Sequence, residues 1–253
     1  MALDGLNSAQ RTTQPSADGN LRYFSTLERN MTELYFHATP NSMKVLLLLE
    51  ELGQSYTIMS VDIFKGEQHS EAYRAINPNA KVPALVDGAV TVFDSHAILL
   101  YLAEKHARFL PSGPAERAVT LSWLQFVATG LSPFSGQAIH FLHYAPEKIP
   151  YAINRYVKEV ERHYRILDGR LAATRYLAGN AYTIADMAMW GWASSAGYIF
   201  GDKGLAEYPH VSRLMAEIAE RPAAAHALTV KAGHSRDTTV DQVALRALFP
   251  QNV

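Results

Sequence analysis

NPNAKVPALVDGAVTVFDS, residues 77–95, is the segment of the sequence that is most informative about the fold. Its segments 80–87 and 89–93 predict two short strands that turn at Asp87-Gly88, a dipeptide typical of tight hairpins. Asp94-Ser95 then begins a helix. The apolar face of this helix is formed by Ala97, Ile98, Tyr101 and Leu102. The stretch therefore predicts an antiparallel hairpin followed by a helix.

A strand, a turn and a helix precede this unit. Residues 34–36 are apolar and end at Thr39-Pro40-Asn41, after which a leucine-rich helix runs to Gly53. Residues 56–61 predict a second strand, so the pair forms a right-handed strand–helix–strand unit with parallel strands. The residues between this unit and the hairpin are interpreted as a loop.

The rest of the chain predicts a helical domain. Pro111 and Pro114 bracket a linker, and helical periodicity continues almost without strand signals to about residue 230. A long amphipathic helix carries Val157, Val160, Tyr164, Leu167 and Leu171. Thr183 to Asp186 form a capping box before another apolar helix. We predict a polar arm at 1–31, an α/β domain at 32–110, an all-helical domain at 115–230 and a tail at 231–253.

The amino-acid composition argues against several classes of partner and restricts the possible thiol chemistry. Lys and Arg number 23 against 24 Asp and Glu in 253 residues, which argues against nucleic acid and anionic membranes as partners. The longest strongly apolar run, 45–49, is far shorter than the roughly 18 residues that span a bilayer. Residues 1–30 lack a secretory pattern, so we expect a cytoplasmic protein. Because the chain has no cysteine, any thiol chemistry must use a ligand's thiol.

The order of these elements resembles the glutathione transferase superfamily over about residues 32 to 230. The resemblance rests on a set of motifs, each weak by itself and strong in combination. They are Thr39-Pro40-Asn41-Ser42, the segment 77–83, Asp94-Ser95 with 97–102, Gly136-Gln137, Pro150-Tyr151-Ala152-Ile153 and the tail segment 241–250. Together they look like the bacterial nu-class branch.

This resemblance implies a thioredoxin-like amino-terminal domain, an all-α carboxyl-terminal domain and a homodimer. It also implies a glutathione site in the first domain and disulfide reduction by glutathione. Three positions depart from the family pattern: Ser42 replaces a common glycine, Asp94 a common glutamate, and Phe126 lies where tryptophan is frequent. The departures leave the second substrate open.

Thr39 and Asn41 are the candidate stabilisers of a glutathione thiolate. They stand at the start of a helix, where a hydroxyl, an amide and exposed backbone N–H groups converge on one point. An ordinary helix start with an Asn or Ser cap is the structural alternative, because Thr-Pro-Asn also begins helices that have no ligand. Tyr35 and Ser42 are weaker candidates for the hydroxyl that activates the thiol.

The remaining site residues follow from the resemblance. Asp94 and Ser95 are expected to hold the γ-glutamyl end of the tripeptide, and Val82, before a cis Pro83, to pair with its backbone. Gln68 and Lys81 are expected to hold the glycyl carboxylate or a second glutathione. Arg162, with Arg155 on the same helix face, is a further candidate for a second glutathione, with surface salt bridging as the alternative.

His140 and His143 form a helical pair without an evident third ligand, so we predict no metal. Trp190 and Trp192 are interpreted as core or pocket wall.

Three functions stay open: glutathione-dependent disulfide reduction, conjugation of glutathione to electrophiles, and nonenzymatic glutathione binding on the same scaffold. Retention of the motif residues favours an enzyme, and the absence of cysteine favours the reductase.

Overall fold

The computed structural model describes residues 14–15, 21–22, 32–234 and 240–252. The predicted polar arm therefore lies outside the described residues, except for two short strands. These strands, β1 (Gln14–Pro15) and β2 (Leu21–Arg22), pair antiparallel. Residues 235–239 of the predicted tail are also outside the described ranges.

A four-stranded mixed sheet forms the centre of the first domain. It comprises β3 (Thr32–Phe36), β4 (Tyr56–Ser60), β5 (Ala84–Asp87) and β6 (Val90–Phe93) in the order β4-β3-β5-β6. β3 pairs parallel with β4 and antiparallel with β5, and β5 pairs antiparallel with β6. The predicted parallel unit and the predicted hairpin are both confirmed.

Two helices of the first domain were predicted and a third was missed. The predicted ones are α1 (Pro40–Leu52) and α3 (Ser95–His106). α1 is buried along residues 42–49 and ends at Gly53, whose φ of 65° suits a glycine. The segment interpreted as a loop contains a 3-10 turn (Glu67–His69) and α2 (Glu71–Ile76). α2 has only 6 residues, too few for a helical period to stand out in sequence.

The third strand begins later than predicted. Residue 80 was expected to start it, whereas β5 starts at Ala84 because residues 77–83 form a turn. Ala80 has a φ of 53°, and the buried Asn77 side chain donates to the Lys81 carbonyl at 2.6 Å. A backbone in that region cannot pair as a strand.

The second domain is helical, as predicted. Its helices are α4 (Pro114–Phe126), α5 (Ser132–Ile139), α6 (Pro150–Ala173), α7 (Ile184–Ala193), α8 (Gly197–Phe200), α9 (Pro209–Ala219), α10 (Pro222–Gly233) and α11 (Gln242–Leu248). Short π-helical segments, Val127–Leu131 and His140–Tyr144, follow α4 and α5. The capping box of Thr183 and Asp186 begins α7. None of the described helices has the length and apolar character that a membrane crossing requires.

One hydrophobic core joins the two domains. α1 packs on α3 within its own domain and on α7 and α10 of the helical domain. Gly191 of α7 allows a close approach of the two helices, because a Cβ there would lie 2.4 Å from the Pro40 carbonyl oxygen. The start of α1 is therefore held by both domains.

Candidate functional site

Thr39 is the N-cap of α1, so the helix has an ordinary cap, formed by Thr39 and not by the Asn or Ser that the sequence suggested. Its Oγ1 accepts from the Ser42 N–H at 3.2 Å and lies 3.1 Å from the Ser42 hydroxyl. The Ser42 N–H uses one lone pair of this oxygen, and when the Ser42 hydroxyl is the donor of the second bond, the Thr39 O–H is free to donate to a ligand. The cap role and the predicted ligand role are compatible.

Asn41 is fixed by the helical domain. Its Oδ1 accepts a hydrogen bond of 3.1 Å from Nε1 of Trp192, a buried residue of α7. Within residues 32–234 the Asn41 Nδ2 group has no assigned acceptor. The tryptophan thus orients the amide so that its donor side remains available.

The amino terminus of α1 also presents an open backbone donor. Pro40 has no N–H, while the N–H groups of Ser42 and Met43 are bound to Thr39. Among the described residues no acceptor is assigned to the Asn41 N–H. Since the helix dipole places partial positive charge at this end, an anion is stabilised there.

The turn before β5 presents an unpaired backbone segment. The Val82-Pro83 peptide bond is cis, as predicted. The turn is held from within, because Tyr73 Oη and Asn77 Nδ2 both donate to the Lys81 carbonyl. In the described ranges the Val82 N–H and C=O have no assigned partner, so an extended peptide has both a donor and an acceptor to pair with.

Asp94 begins α3 in a backbone conformation that is unusual for a residue with a side chain, with a φ of 71°. Its Oδ1 accepts from the N–H groups of His96 at 2.9 Å and Ala97 at 3.2 Å. The side chain is 64% exposed, so the second carboxylate oxygen is open to a ligand's ammonium group. Ser95, the first residue of the helix, is buried beside it.

A buried polar pair, missed in the sequence, lies beneath Asp94. Nζ of Lys44, a fully buried residue of α1, is 3.3 Å from Nε2 of His96. Burial lowers the pKa of Lys44 to about 7, with the Asp94 charge opposing this effect. Burial, together with the neighbouring Lys44 charge, lowers the pKa of His96 to about 2. The sequence signal was the single cation in the otherwise apolar run 43–49.

Gln68 is covered by the carboxyl-terminal segment. Its Nε2 donates to the Ala247 carbonyl of α11 at 2.9 Å and to the Ile63 carbonyl at 3.2 Å, and the residue is only 2% exposed. Phe249, which follows α11, packs edge-on against His140 at a ring distance of 4.6 Å. The predicted ligand residue is thus engaged with the tail in this conformation.

Lys81 is exposed beside the turn. Among the described residues, Arg162 makes its contacts on its own helix and not with the other candidate residues. The Arg162 guanidinium donates to Glu159 of its own helix at 2.7 Å and 3.0 Å. Arg155 lies 3.9 Å from the same carboxylate. The salt-bridging alternative is realised, and a ligand role for Arg162 stays a prediction.

The two rival hydroxyls are poorly placed for thiol chemistry. Ser42 is fully buried and bonded to Thr39. Tyr35 donates to Glu33 at 3.3 Å, and burial raises the pKa of its phenol. Both arrangements favour Thr39 over these alternatives.

The histidine pair has ordinary partners. Nε2 of His143 lies 2.7 Å from the Tyr198 carbonyl oxygen, and His140 packs on Phe249. Over the described part of the chain no group of three or more His, Cys, Asp or Glu residues is placed to hold a metal ion.

Fold and site together define a two-domain protein: a thioredoxin-like domain that has an open helix start and a cis-proline turn, backed by a helical domain. Family models agree with this description. The glutathione S-transferase N-terminal domain matches residues 38–105, and the glutathione S-transferase C-terminal domain matches residues 134–222. The chain belongs to the glutathione transferase superfamily.

Two similar relatives come from Escherichia coli strain K12 and are named disulfide-bond oxidoreductases. The chain is 43% identical to YfcG over 205 residues, which are 78% of this chain and 94% of YfcG. It is 44% identical to YghU over 208 residues, or 76% of this chain and 72% of YghU. These names support the predicted enzyme class.

Solved structures show the same fold. Glutathione transferase YghU from Streptococcus pneumoniae, complexed with glutathione, matches with a TM-score of 0.75 and 41% identity, covering 79% of this chain and 83% of that one. A family member from Pseudomonas fluorescens, with two glutathione molecules bound, matches with a TM-score of 0.75 and 33% identity over 79% of this chain and 93% of that one.

Proposed function

We propose that this protein is a glutathione-dependent disulfide-bond oxidoreductase of the nu-class branch, in which the thiolate of bound glutathione is the nucleophile. The open amino terminus of α1, with Thr39 and Asn41, carries the proposal. The chain contains no cysteine, so the reacting sulfur must belong to a ligand. Its relatives named disulfide-bond oxidoreductases support the same reaction class.

The chemistry requires an ionised sulfur. A free thiol with a pKa near about 8.5 is only a few per cent thiolate at neutral pH. Lowering that pKa by about two units takes roughly 2.7 kcal/mol of preferential stabilisation of the anion. The Thr39 hydroxyl, the Asn41 N–H and amide, and the dipole of α1 are together sufficient for an effect of that size.

The rest of the tripeptide has chemically matching partners in the first domain. The Val82 backbone pairs with the cysteinyl residue in the manner of an added strand. The Asp94 carboxylate holds the γ-glutamyl ammonium, and Ser95 with the amino terminus of α3 holds its α-carboxylate. Lys81 and Gln68 are proposed for the glycyl carboxylate.

The reaction is a pair of thiol–disulfide exchanges. The bound thiolate attacks one sulfur of a substrate disulfide, the S–S bond breaks, and the departing thiolate takes a proton. The product is a mixed disulfide between glutathione and the substrate. A second glutathione thiolate attacks it, giving glutathione disulfide and the second substrate thiol. Two glutathiones are oxidised for each disulfide reduced, and the protein is never covalently modified.

The second glutathione needs its own position. The relative from Pseudomonas fluorescens was crystallised with two glutathiones, which supports a two-glutathione site in this branch. We keep Arg162 as the candidate contact on the helical domain. Its 50% exposed side chain is paired with Glu159 here, so it must exchange that partner on binding.

We also propose a cytoplasmic homodimer. β6 is an edge strand, paired with β5 alone within the described sheet. Its Val90 and Phe93 are 42% and 44% exposed, an apolar edge that a second copy would cover. The reducing cytoplasm supplies the glutathione that the reaction consumes.

One assay separates the reductase from its rivals. The purified protein is given glutathione with either bis-hydroxyethyl disulfide or chlorodinitrobenzene, and both rates are measured. The proposal predicts turnover of the disulfide well above the rate with the aromatic electrophile. Activity on the electrophile alone supports the conjugating transferase, and glutathione binding without turnover of either compound supports a nonenzymatic binder.

A further inference from the structure

The buried Lys44–His96 pair is the strongest feature that the proposed chemistry does not use. It connects the two helices that supply the site, since Lys44 belongs to α1 and His96 to α3. Lys44 is 0% and His96 7% exposed. A buried amine with one imidazole partner costs stability compared with an apolar side chain, so its presence at the base of a ligand site calls for a function.

The contacts define the tautomer of His96. While Lys44 is protonated it carries only donors, so the imidazole Nε2 at 3.3 Å then accepts. The single imidazole proton then lies on Nδ1, which is 3.8 Å from Asp94 Oδ1 and 3.5 Å from Ser95 Oγ. The Asp94 carboxylate favours the same arrangement, because it attracts an N–H and repels a lone pair.

This tautomer prepares both groups for a ligand. The Nδ1–H attracts Asp94 Oδ1, which also accepts from the His96 and Ala97 N–H groups, so the carboxylate is held with its other oxygen toward solvent. The Ser95 oxygen faces the same N–H, which leaves its own proton for a carboxylate. With the opposite tautomer, an imidazole lone pair would face Asp94 and compete for the Ser95 proton.

We propose that Lys44 and His96 are positioning residues that hold Asp94 and Ser95 in the orientation that binds the α-amino acid end of the thiol ligand. The inference rests on the proposed function for the identity of that ligand. Lys44 acts through His96 and touches no substrate. In the described structure the titratable groups facing this pair are Asp94 on α3 and the pair's own members, while α7 contributes Gly191 next to the Lys44 Cβ.

The test compares glutathione with cysteinylglycine, which has the same thiol and glycyl end but lacks the γ-glutamyl residue. In Lys44→Met we expect the KM and Kd for glutathione to rise about tenfold, the loss that follows when a hydrogen bond to a charged group is weakened. We expect kcat to change less than about twofold, since the thiol end is untouched. The constants for cysteinylglycine should stay at the wild-type values.

Two substitutions at His96 distinguish the loss of the donor that orients Asp94 from a change in side-chain volume. His96→Asn keeps a donor near Asp94 and should retain most of the glutathione affinity. His96→Leu keeps the volume without the donor and should weaken glutathione binding as much as Lys44→Met does. The double variant should bind glutathione no more weakly than either single variant, because both substitutions act through the Lys44–His96 pair. Lys203→Met, which removes an exposed lysine side chain, is the control and should behave as wild type.

Equal weakening of both thiols by Lys44→Met, or equal weakening of glutathione by His96→Asn and His96→Leu, would overturn the inference. The failure of the proposed function looks different. In that case the wild-type protein reduces no disulfide with glutathione, while calorimetric Kd values for the two thiols still show whether the pair selects the γ-glutamyl end. If Lys44→Met does not fold, the two His96 variants decide.

Discussion

The two ends of the candidate site are built in different ways. At the end proposed for the thiol and the γ-glutamyl group, Thr39, Asn41, Asp94 and Ser95 stand at helix starts and keep open donors and acceptors. At the glycyl end, Gln68 is bonded to Ala247, 179 residues away in sequence, and is almost fully covered. The first end is prepared before a ligand arrives, whereas the second is engaged with the protein's own tail. Residues that are neighbours in sequence build the first end, whereas a contact between distant residues covers the second.

Gly191→Ala should have the largest effect on the thiol end. The added Cβ would lie 2.4 Å from the Pro40 carbonyl oxygen, so α7 must move away from the start of α1. We expect a loss of about 3 kcal/mol in the free energy of unfolding, at the upper end of typical overpacking, together with reduced turnover. Denaturant unfolding measures it.

Gly169→Ala is the matched control, because that glycine lies within α6 and has nothing within 4 Å of an added Cβ. It should stabilise the protein by up to about 1 kcal/mol through helix propensity. If the two substitutions behave alike, the close approach of α7 to α1 does not hold the site.

The combined variant Thr39→Ala/Asn41→Ala should lower glutathione-dependent turnover about thirtyfold at neutral pH. That factor is the ratio between a largely ionised thiol and one that is only a few per cent thiolate. The loss should shrink as the pH is raised toward about 8.5, where even an unassisted thiol ionises. A turnover that stays at the wild-type level would remove these residues from the mechanism.

Lys44 should make the stability of the protein depend on pH. Its pKa falls from 10.5 to about 7 on folding, so between these values the unfolded chain binds one more proton than the folded one. The free energy of unfolding therefore rises with pH across this window, by up to about 1.4 kcal/mol per pH unit from this group. Lys44→Met should lack that rise. Parallel stability curves from pH 7 to 9 would contradict the burial of an amine at this position.

Truncation of the chain after residue 239 should have the smallest effect. The truncation changes the contacts at the proposed glycyl end of the site. Removal of α11 frees the Gln68 amide from the Ala247 carbonyl. We expect the KM for glutathione to fall about threefold, the worth of a modest hydrogen bond. The same truncation in a Gln68→Ala background should change the KM little. A higher KM after truncation would mean that the tail belongs to the ligand site.

The difference between the two ends also explains which features of the structure could be predicted from the sequence. The helix start at Thr39-Pro40-Asn41, the cap at Asp94 and the capping box at Thr183 depend on residues a few positions apart, and all three helix starts are confirmed, although the cap of the first is Thr39 and not an Asn or Ser. The hairpin at Asp87-Gly88 is local as well. Motifs of this kind carry their own hydrogen-bond partners, so a single sequence is sufficient to locate them.

Long-range partners were not predictable in this way. Trp192 was interpreted as core or pocket wall, yet its Nε1 donates to Asn41 across 151 positions of sequence. Lys44 finds His96 only after α1 and α3 have packed. Gln68 was expected to face a ligand, and its cover by α11 depends on how the tail folds back. Such contacts follow from tertiary packing, which periodicity and local motifs do not encode.

The decisive measurement for thiolate stabilisation by Thr39 and Asn41 is the pKa of the glutathione sulfur in the bound state. The thiolate is followed by its ultraviolet absorbance while the complex is titrated, with S-methylglutathione as the blank. We predict a pKa about two units below the free value of about 8.5 in the wild-type complex, and a return toward the free value in Thr39→Ala/Asn41→Ala. A bound thiol that titrates as it does in water, or one whose lowered pKa survives both substitutions, would contradict it.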